Sequence, residues 1–259
     1  PQSPPVAVDP PQERGGGSGR NARPGYDFPR QTVIAHRLTT MPIRTSAMRA
    51  LGAHLNVFAI ESFMDELAAE SGRDPLEFRL AHLTDPRGRR VLMAAAERAG
   101  WGEPIGDPDT GRGIGYARYK GSGAYCAVIA EVEATSALRV RRLTVAVDVG
   151  TVINPDGVAN QIEGGAIQAV SWTVREQVRF NRHAVTSDTW ESYPILTFSE
   201  VPAVDVLVLT STDPSLGAGE ASMGPTAGAV GNALAAALGV RVRDMPLTSE
   251  AIIDAVARS

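Results

Sequence analysis

The alternation of apolar and polar positions divides the chain into stretches of different period. From residue 56 the apolar side chains Val57, Ile60, Phe63, Met64 and Leu67 recur at helical spacing, with Asn56 placed to cap the helix and Ser71-Gly72 to end it. Asp74-Pro75 predicts a second helix with Phe78, Leu80 and Leu83 as its apolar set, and a third is expected from about Gly88 to Ala99, stopping at Gly100-Trp101-Gly102. The period then shortens to two. Residues 112–117, 127–133 and 138–148 read as strands, the last two joined as a hairpin through Thr135-Ser136-Ala137. Glu131 and Glu133 are expected on the solvent face, opposite Arg139 or Arg141. A short strand is also expected at Thr32-Val33-Ile34-Ala35 and another at 204–209.

Two further helices stand out. Asn154-Pro155 is a good helix opening, and the helix over about 156–175 holds Gly164 and Gly165 side by side. Each glycine costs a helix roughly 1 kcal/mol against alanine, so another segment should approach closely there. The stretch from Pro225 to Gly239 is apolar on every side, and a helix without a polar face must be buried. Thr248 caps a short final helix. Before all of this, residues 1–30 hold seven of the eighteen prolines and a triple glycine at 15–17. Such a composition does not offset the entropy of ordering, and an extended or disordered arm or linker is expected, with residues 31–259 as the folded body.

The candidate chemistry gathers before the buried helix, in Leu216-Gly217-Ala218-Gly219-Glu220-Ala221-Ser222-Met223-Gly224-Pro225-Thr226. Glu220 is a lone carboxylate on a glycine-permitted turn that a cofactor or another segment can approach. It can serve as a general base, or it can simply cap the helix, where the dipole favours an acid. Dinucleotide binding is a poor match, because the glycines read G-x-G-x-x-x-x-G and Pro225 interrupts the helix start.

This turn, with the Asn232-Ala233 helix behind it, resembles the C-terminal signature of the molybdenum hydroxylases, the xanthine dehydrogenase and aldehyde oxidase family. Its form looks most like the isoquinoline 1-oxidoreductase and nicotinate dehydrogenase branch. Arg49-Ala50-Leu51-Gly52 and the helix after it, Asp74-Pro75, Ala99-Gly100-Trp101, and the passage from Asp148-Val149-Gly150 through Asn154-Pro155 to Gln161-Ile162-Glu163-Gly164-Gly165 and Gln168 match further landmarks in order. The resemblance implies an α+β fold, the C-terminal portion of the molybdopterin-binding domain, with mixed sheets and packed helices. It implies Glu220 as the catalytic base, Arg49 as a substrate-binding residue, and Gln161, Gly217 and Gly219 as cofactor contacts, with no protein ligand to the metal. Beside these stand structural readings: Arg49 pinning its own loop, and Gln161 bonding within a helix contact.

As cofactor the resemblance implies molybdopterin with molybdenum, the cytosine dinucleotide form included, and [2Fe-2S] clusters on an iron–sulfur subunit. The family's upstream Gly-Phe-Gly loop is absent from this sequence, so a divided catalytic subunit is expected, completed by a second molybdopterin-binding chain. A flavin or cytochrome subunit is the expected electron acceptor. The implied reaction is hydroxylation of an electron-poor carbon of an N-heteroaromatic small molecule with water-derived oxygen, with aldehydes as the alternative substrate and a non-catalytic paralogue as the competing class.

Composition narrows the field without changing it. The net charge of −4, with Lys and Arg scattered, gives no footprint for nucleic acid. Cys126, the single cysteine, excludes an internal disulfide or a cysteine-only cluster in this sequence and is expected to be a buried strand residue. His36, His54, His82 and His183 lack zinc-site spacing; His54 is expected in a loop or at the surface, and His183 at the surface. No apolar run is long enough for a membrane span, which leaves open a cytoplasmic location or a periplasmic or membrane-associated one held through partners.

Overall fold

A computed structural model describes residues 17–36, 41–43, 47–135 and 137–259. Four strands form one mixed sheet in the order β1 (Thr110–Arg118), β2 (Tyr125–Ala134), β3 (Leu138–Asp148) and β4 (Ala203–Val208). β1, β2 and β3 run antiparallel, with a register shift at Glu131/Val132, whereas β4 joins parallel to β3. The parallel join needs a crossover, and α4 (Pro155–Val174) supplies it.

Both faces of the sheet are covered, which is why β2 is apolar at nearly every position. Cys126, Val128, Ala130 and Val132 meet α4 and α5 (Met223–Leu238), and the alternate residues Tyr125, Ala127 and Ile129 pack with α1 (Ala53–Glu70), α2 (Pro75–Ala81) and α3 (Pro86–Arg98). Cys126 is fully buried, and burial alone pushes its thiol well up. Glu133 pairs with Arg141 as expected, while Glu131 turns to Arg112 across β1. The helix starts obey the capping rules: Asp74, Asp85, Asn154 and Thr248 each accept a backbone N–H from the first turn of α2, α3, α4 and α6 (Ser249–Arg258).

α5 is buried because it is pressed from two sides. On one side lie the glycines of β1, where a Cβ on Gly111, Gly113 or Gly115 would come within 2.0–2.2 Å of the α5 backbone. On the other side, Gly224, Gly228 and Gly231 admit Val57, Glu61 and Phe58 of α1. The approach is backbone to backbone, and residues without bulk make it possible.

Four expectations fail. α1 begins at Ala53 with Gly52 as its cap residue, so Asn56 lies inside the first turn, where its amide donates to the carbonyls of Ser18 and Arg20. Its buried face is centred on Glu61, and Phe63, one of the apolar positions at helical spacing that would mark the buried face, is 57% exposed. Residues 32–35 form no strand, and Val33 and Ile34 are exposed, since no neighbouring strand satisfies their backbone. His54, expected in a loop or at the surface, is buried in the first turn of α1; Val57 and Phe58, three and four residues on, share its face.

The described half of the expected arm is also part of the body. Tyr26 is buried, and its hydroxyl donates to Glu61 Oε1 at 2.8 Å. Glu61 Oε2 accepts from Arg79 Nε at 2.9 Å and from the Tyr116 N–H at 3.1 Å, and both charged side chains are wholly buried. Asn232 of α5 donates to the carbonyls of Glu61 and Ile114 and accepts from Arg241 at 2.6 Å. The cluster is satisfied from every side, as buried ions require.

Candidate functional site

The glycine turn at 216–222 is delivered by β4 and closed by α5. Leu216 N–H bonds the Val149 carbonyl at 2.7 Å, and Gly150 sits at a positive φ of 70°, where a Cβ would strike Pro214 O. Asp148, two residues earlier, is fully buried and accepts from Arg87, Arg90 and the Gly150 N–H. Burial pushes its carboxyl up, but those three donors outweigh burial and hold it below the ordinary value. The Asp148-x-Gly150 landmark is thus an anchor for the turn rather than part of its chemistry.

Glu220 lies on this turn, half-buried, and its Oε1 accepts the Ala50 N–H at 2.7 Å. To present that N–H, Ala50 and Leu51 both adopt left-handed backbone conformations, with φ of 73° and 51°. For side chains with a Cβ this conformation costs roughly 1–2 kcal/mol, and such strain concentrates at functional sites. The carboxylate does not cap α5: Ser222 occupies the cap position, and its hydroxyl goes to the Ile162 carbonyl.

Arg49 joins three segments. Nε donates to the Gly219 carbonyl at 2.5 Å, Nη1 to Gln168 Oε1 at 3.1 Å, and Nη2 to the backbone carbonyl and side-chain oxygen of Gln161 at 2.9 and 3.3 Å. This geometry is the pinning role, since the guanidinium fork is directed at the turn and at α4. Burial lowers its pKa while the neighbouring Glu220 raises it, and an arginine remains a cation throughout. Gly165 makes room for the arrangement: a Cβ there would lie 2.5 Å from Ser222 Oγ and 3.2 Å from Arg49 Nη2. Gly164, by contrast, faces open space.

Glu220, Arg49, Gln161 and Gly219, singled out in the sequence, are therefore neighbours in space. Gln161 is exposed on the first half of α4, its Oε1 lies 3.4 Å from where a Gly219 Cβ would stand, and its Nε2 has no partner among the described residues. Gly217 is exposed, with nothing within 4 Å of a built Cβ. Among the described residues, the N–H groups of Gly217, Ala218, Gly219 and Glu220 donate to no acceptor. A row of free backbone donors beside a free amide suits a ligand rich in ring N–H, C=O and anionic oxygen.

Sequence reasoning missed two residues. Tyr119, 5% exposed after β1, accepts from Arg20 Nη1 at 2.9 Å through its hydroxyl; burial first, then the influence of the Glu220 carboxylate, pushes its phenol up to about 12, against an opposing effect of Arg20. His54 packs edge-on against Trp172 at 5.5 Å with Nδ1 3.3 Å from the Met223 carbonyl. Burial pulls its imidazole down to about 4, outweighing the opposing effect of the Met223 contact. A groove of about 1130 Å³ runs past Tyr26, Tyr116 and Lys120 but includes none of Glu220, Arg49 or Gln161. No helix among the described residues is long and apolar enough to cross a membrane.

Among known proteins, two family models described as molybdopterin cofactor-binding domain match residues 17–83 and 66–202. The first starts within the expected arm, consistent with the burial of Tyr26. The chain is 40% identical to a nicotinate dehydrogenase subunit of Pseudomonas putida over 251 residues, covering 90% of this chain and 21% of that protein. It is 34% identical to the beta subunit of isoquinoline 1-oxidoreductase from Brevundimonas diminuta over 227 residues, covering 86% of this chain and 29% of that protein. It therefore spans between a fifth and a third of the length of these relatives. The crystal structure of quinoline 2-oxidoreductase from Pseudomonas putida 86 superposes with a TM-score of 0.70 at 15% identity, over 82% of this chain and 53% of that one, which supports the fold.

Proposed function

We propose, since this chain belongs to the molybdenum hydroxylase family, that it forms part of the catalytic subunit of a hydroxylase acting on an electron-poor carbon of an N-heteroaromatic ring, with Glu220 as the general base. The supporting observation is the Glu220 carboxylate held by Ala50 N–H beside Gln161 and the row of N–H groups from Gly217 to Glu220 that have no acceptor among the described residues. These residues fit a pyranopterin: Gln161 would meet its ring amide, and Gly217 and Gly219 leave the backbone open to it. When bound, the molybdenum–pterin unit, in its plain or cytosine dinucleotide form, supplies the two-electron redox chemistry.

The chain's own part is positioning and proton transfer. Glu220 takes the proton from the water-derived oxygen donor, and Ala50 N–H keeps its carboxylate in one orientation while this happens. Arg49 fixes the turn on which Glu220 stands and adds a positive charge beside the substrate. In this reading the remaining molybdopterin-binding polypeptide comes from a second chain, and electrons leave to [2Fe-2S] clusters on an iron–sulfur subunit and from there to a flavin or cytochrome subunit.

Glu220→Gln keeps size and removes basicity, so turnover in the complete complex should fall by about 10²–10⁴-fold with molybdenum and pterin content retained. Near-normal turnover in that variant rejects the base. Absence of molybdenum and pterin from the wild-type complex would instead identify a non-catalytic paralogue. Screening the complex against N-heteroaromatic rings and aldehydes decides the substrate class.

A further inference from the structure

We propose that the outer edge of β4 is a docking site for an extended strand of the second molybdopterin-binding polypeptide, which adds to the sheet there; the inference rests on the reading that another chain completes the site. β4 is the last strand of the sheet and pairs only with β3. Leu209 N–H, one residue past it, donates to the Val147 carbonyl at 2.8 Å. Alternate residues of a strand share that direction, so Asp205 and Leu207 also turn their backbone groups to β3, and Val204, Val206 and Val208 turn theirs away. The N–H and C=O groups of those three valines bond nothing among the described residues.

The opposite edge of the same sheet is closed. On β1 the Ile114 carbonyl accepts from Asn232 Nδ2 at 2.8 Å and from Arg79 Nη2 at 3.3 Å, and Tyr116 N–H donates to Glu61 Oε2 at 3.1 Å. Buried side chains thus satisfy β1, whereas β4 carries none of the devices that protect an edge: it has no proline, no lysine and no bulge. Its one charge, Asp205, is turned to α3, where Arg98 Nε bonds it at 2.7 Å. The valines are half-buried and pack beside the core that α4 and α5 share. Strand addition uses such an open row of β-branched residues: backbone bonds give the affinity, and alternate side chains set the register.

Both ends of the edge favour this occupant. Just before it, Phe198 is wholly exposed, and Ile195 and Val201 are exposed near it in sequence. Their turn is held in place: Thr197 and Glu200 cap each other around Phe198, and Arg175 at the end of α4 pairs with Glu200. An aromatic side chain fixed in water is suited to anchor a protein interface. Past the other end of β4 the chain runs into the glycine turn, whose Leu216 is tied to Val149 just after β3. A strand laid on β4 is therefore led towards the turn that carries Glu220, the place a second chain has to complete. The relatives extend well beyond the stretch they share with this chain, which is 21% and 29% of their lengths, so polypeptide of the same family remains to fill the edge. A second copy of this chain would bring only another half-site.

Amide exchange resolved to single residues tests the docking. In the full chain alone the Val204, Val206 and Val208 amides should exchange about tenfold or more faster than those of Asp205 and Leu207, and in the complete complex all of them should be slow. Val206→Pro deletes an outward N–H that β3 does not use, so the variant should still fold while its binding to the second polypeptide weakens about tenfold. Phe198→Ser leaves the chain's own packing untouched and should weaken that binding by about as much. Persistently fast exchange at the three valines in the complex overturns the inference, as does unweakened binding of Phe198→Ser together with a folded Val206→Pro. Slow exchange that appears in the chain alone as its concentration rises identifies a second copy as the occupant and overturns it too. A complex that lacks molybdenum and pterin while these amides are slow rejects the catalytic reading and leaves the docking standing, so the two failures are separable.

Discussion

Ala50 and Glu220, 170 residues apart, meet through a 2.7 Å hydrogen bond from a backbone N–H to Oε1, made while Ala50 holds φ at 73°. The contact fixes where the carboxylate can be. Glu220→Asp keeps the acid but withdraws it by one methylene, beyond reach of Ala50. Displacement on the order of 1 Å costs about 10²-fold in rate, and that loss in kcat, at unchanged molybdenum content, is the expected outcome.

The paired glycines of α4 should respond in opposite directions. Gly164→Ala meets nothing within 4 Å and relieves a helix-interior glycine, so the chain should gain about 0.5–1 kcal/mol in chemical denaturation. Gly165→Ala drives a methyl group to 2.5 Å from Ser222 Oγ and crowds Arg49, and it should destabilise the chain by about 1–3 kcal/mol. Equal effects at the two sites would refute the assignment of the close approach to Gly165.

Glu61→Ala strips the acceptor from Arg79, Tyr26 and the Tyr116 N–H while leaving the guanidinium buried. Breaking one side of such a pair costs about 3–5 kcal/mol, a large fraction of an ordinary domain's stability. Urea titration of the variant should show that loss in the midpoint.

His54 should make the fold acid-sensitive. Its folded-state pKa is lowered from 6.5 to about 4 by burial, so between those values the unfolded chain binds a proton that the folded chain does not. The stability present above pH 6.5 is therefore lost as pH falls towards 4, by roughly 3 kcal/mol in full. His54→Leu should flatten the stability profile across that window, read from denaturation curves at several pH values.

Much of the fold is local and could be read from the sequence. The caps at Asp74, Asn154 and Thr248, the alternation of β2 and β3, and the all-apolar face of α5 are set by neighbours in sequence. What escaped depends on distant partners. α1 turns Glu61 inward because Arg79, Tyr26 and Tyr116 satisfy it, and the periodicity that put Phe63 in the core carries no sign of those partners. In the candidate site, Glu220 was visible through its glycine-permitted turn, whereas Arg49 and Gln161 were singled out only through the family resemblance. Tyr119 was not, because Arg20, which bonds its hydroxyl, lies in a stretch whose composition reads as unstructured. For His54 a signal existed, its spacing to Val57 and Phe58, but one polar residue beside a loop does not reveal that Trp172 and Met223 close over it.

The buried cluster around Glu61 also dictates when the molecule can mature during synthesis. It draws on Tyr26, Glu61, Arg79, Tyr116, Asn232 and Arg241: Glu61 and Arg79, 18 residues apart, can pair early, whereas Asn232 reaches Glu61 from 171 residues away. Until Asn232 emerges, α1 and β1 present a half-finished surface to water, and long-range closure of this kind is slow. The α1–β1 seam is therefore closed only when α5 packs onto it, with Asn232 bonding the carbonyls of Glu61 and Ile114.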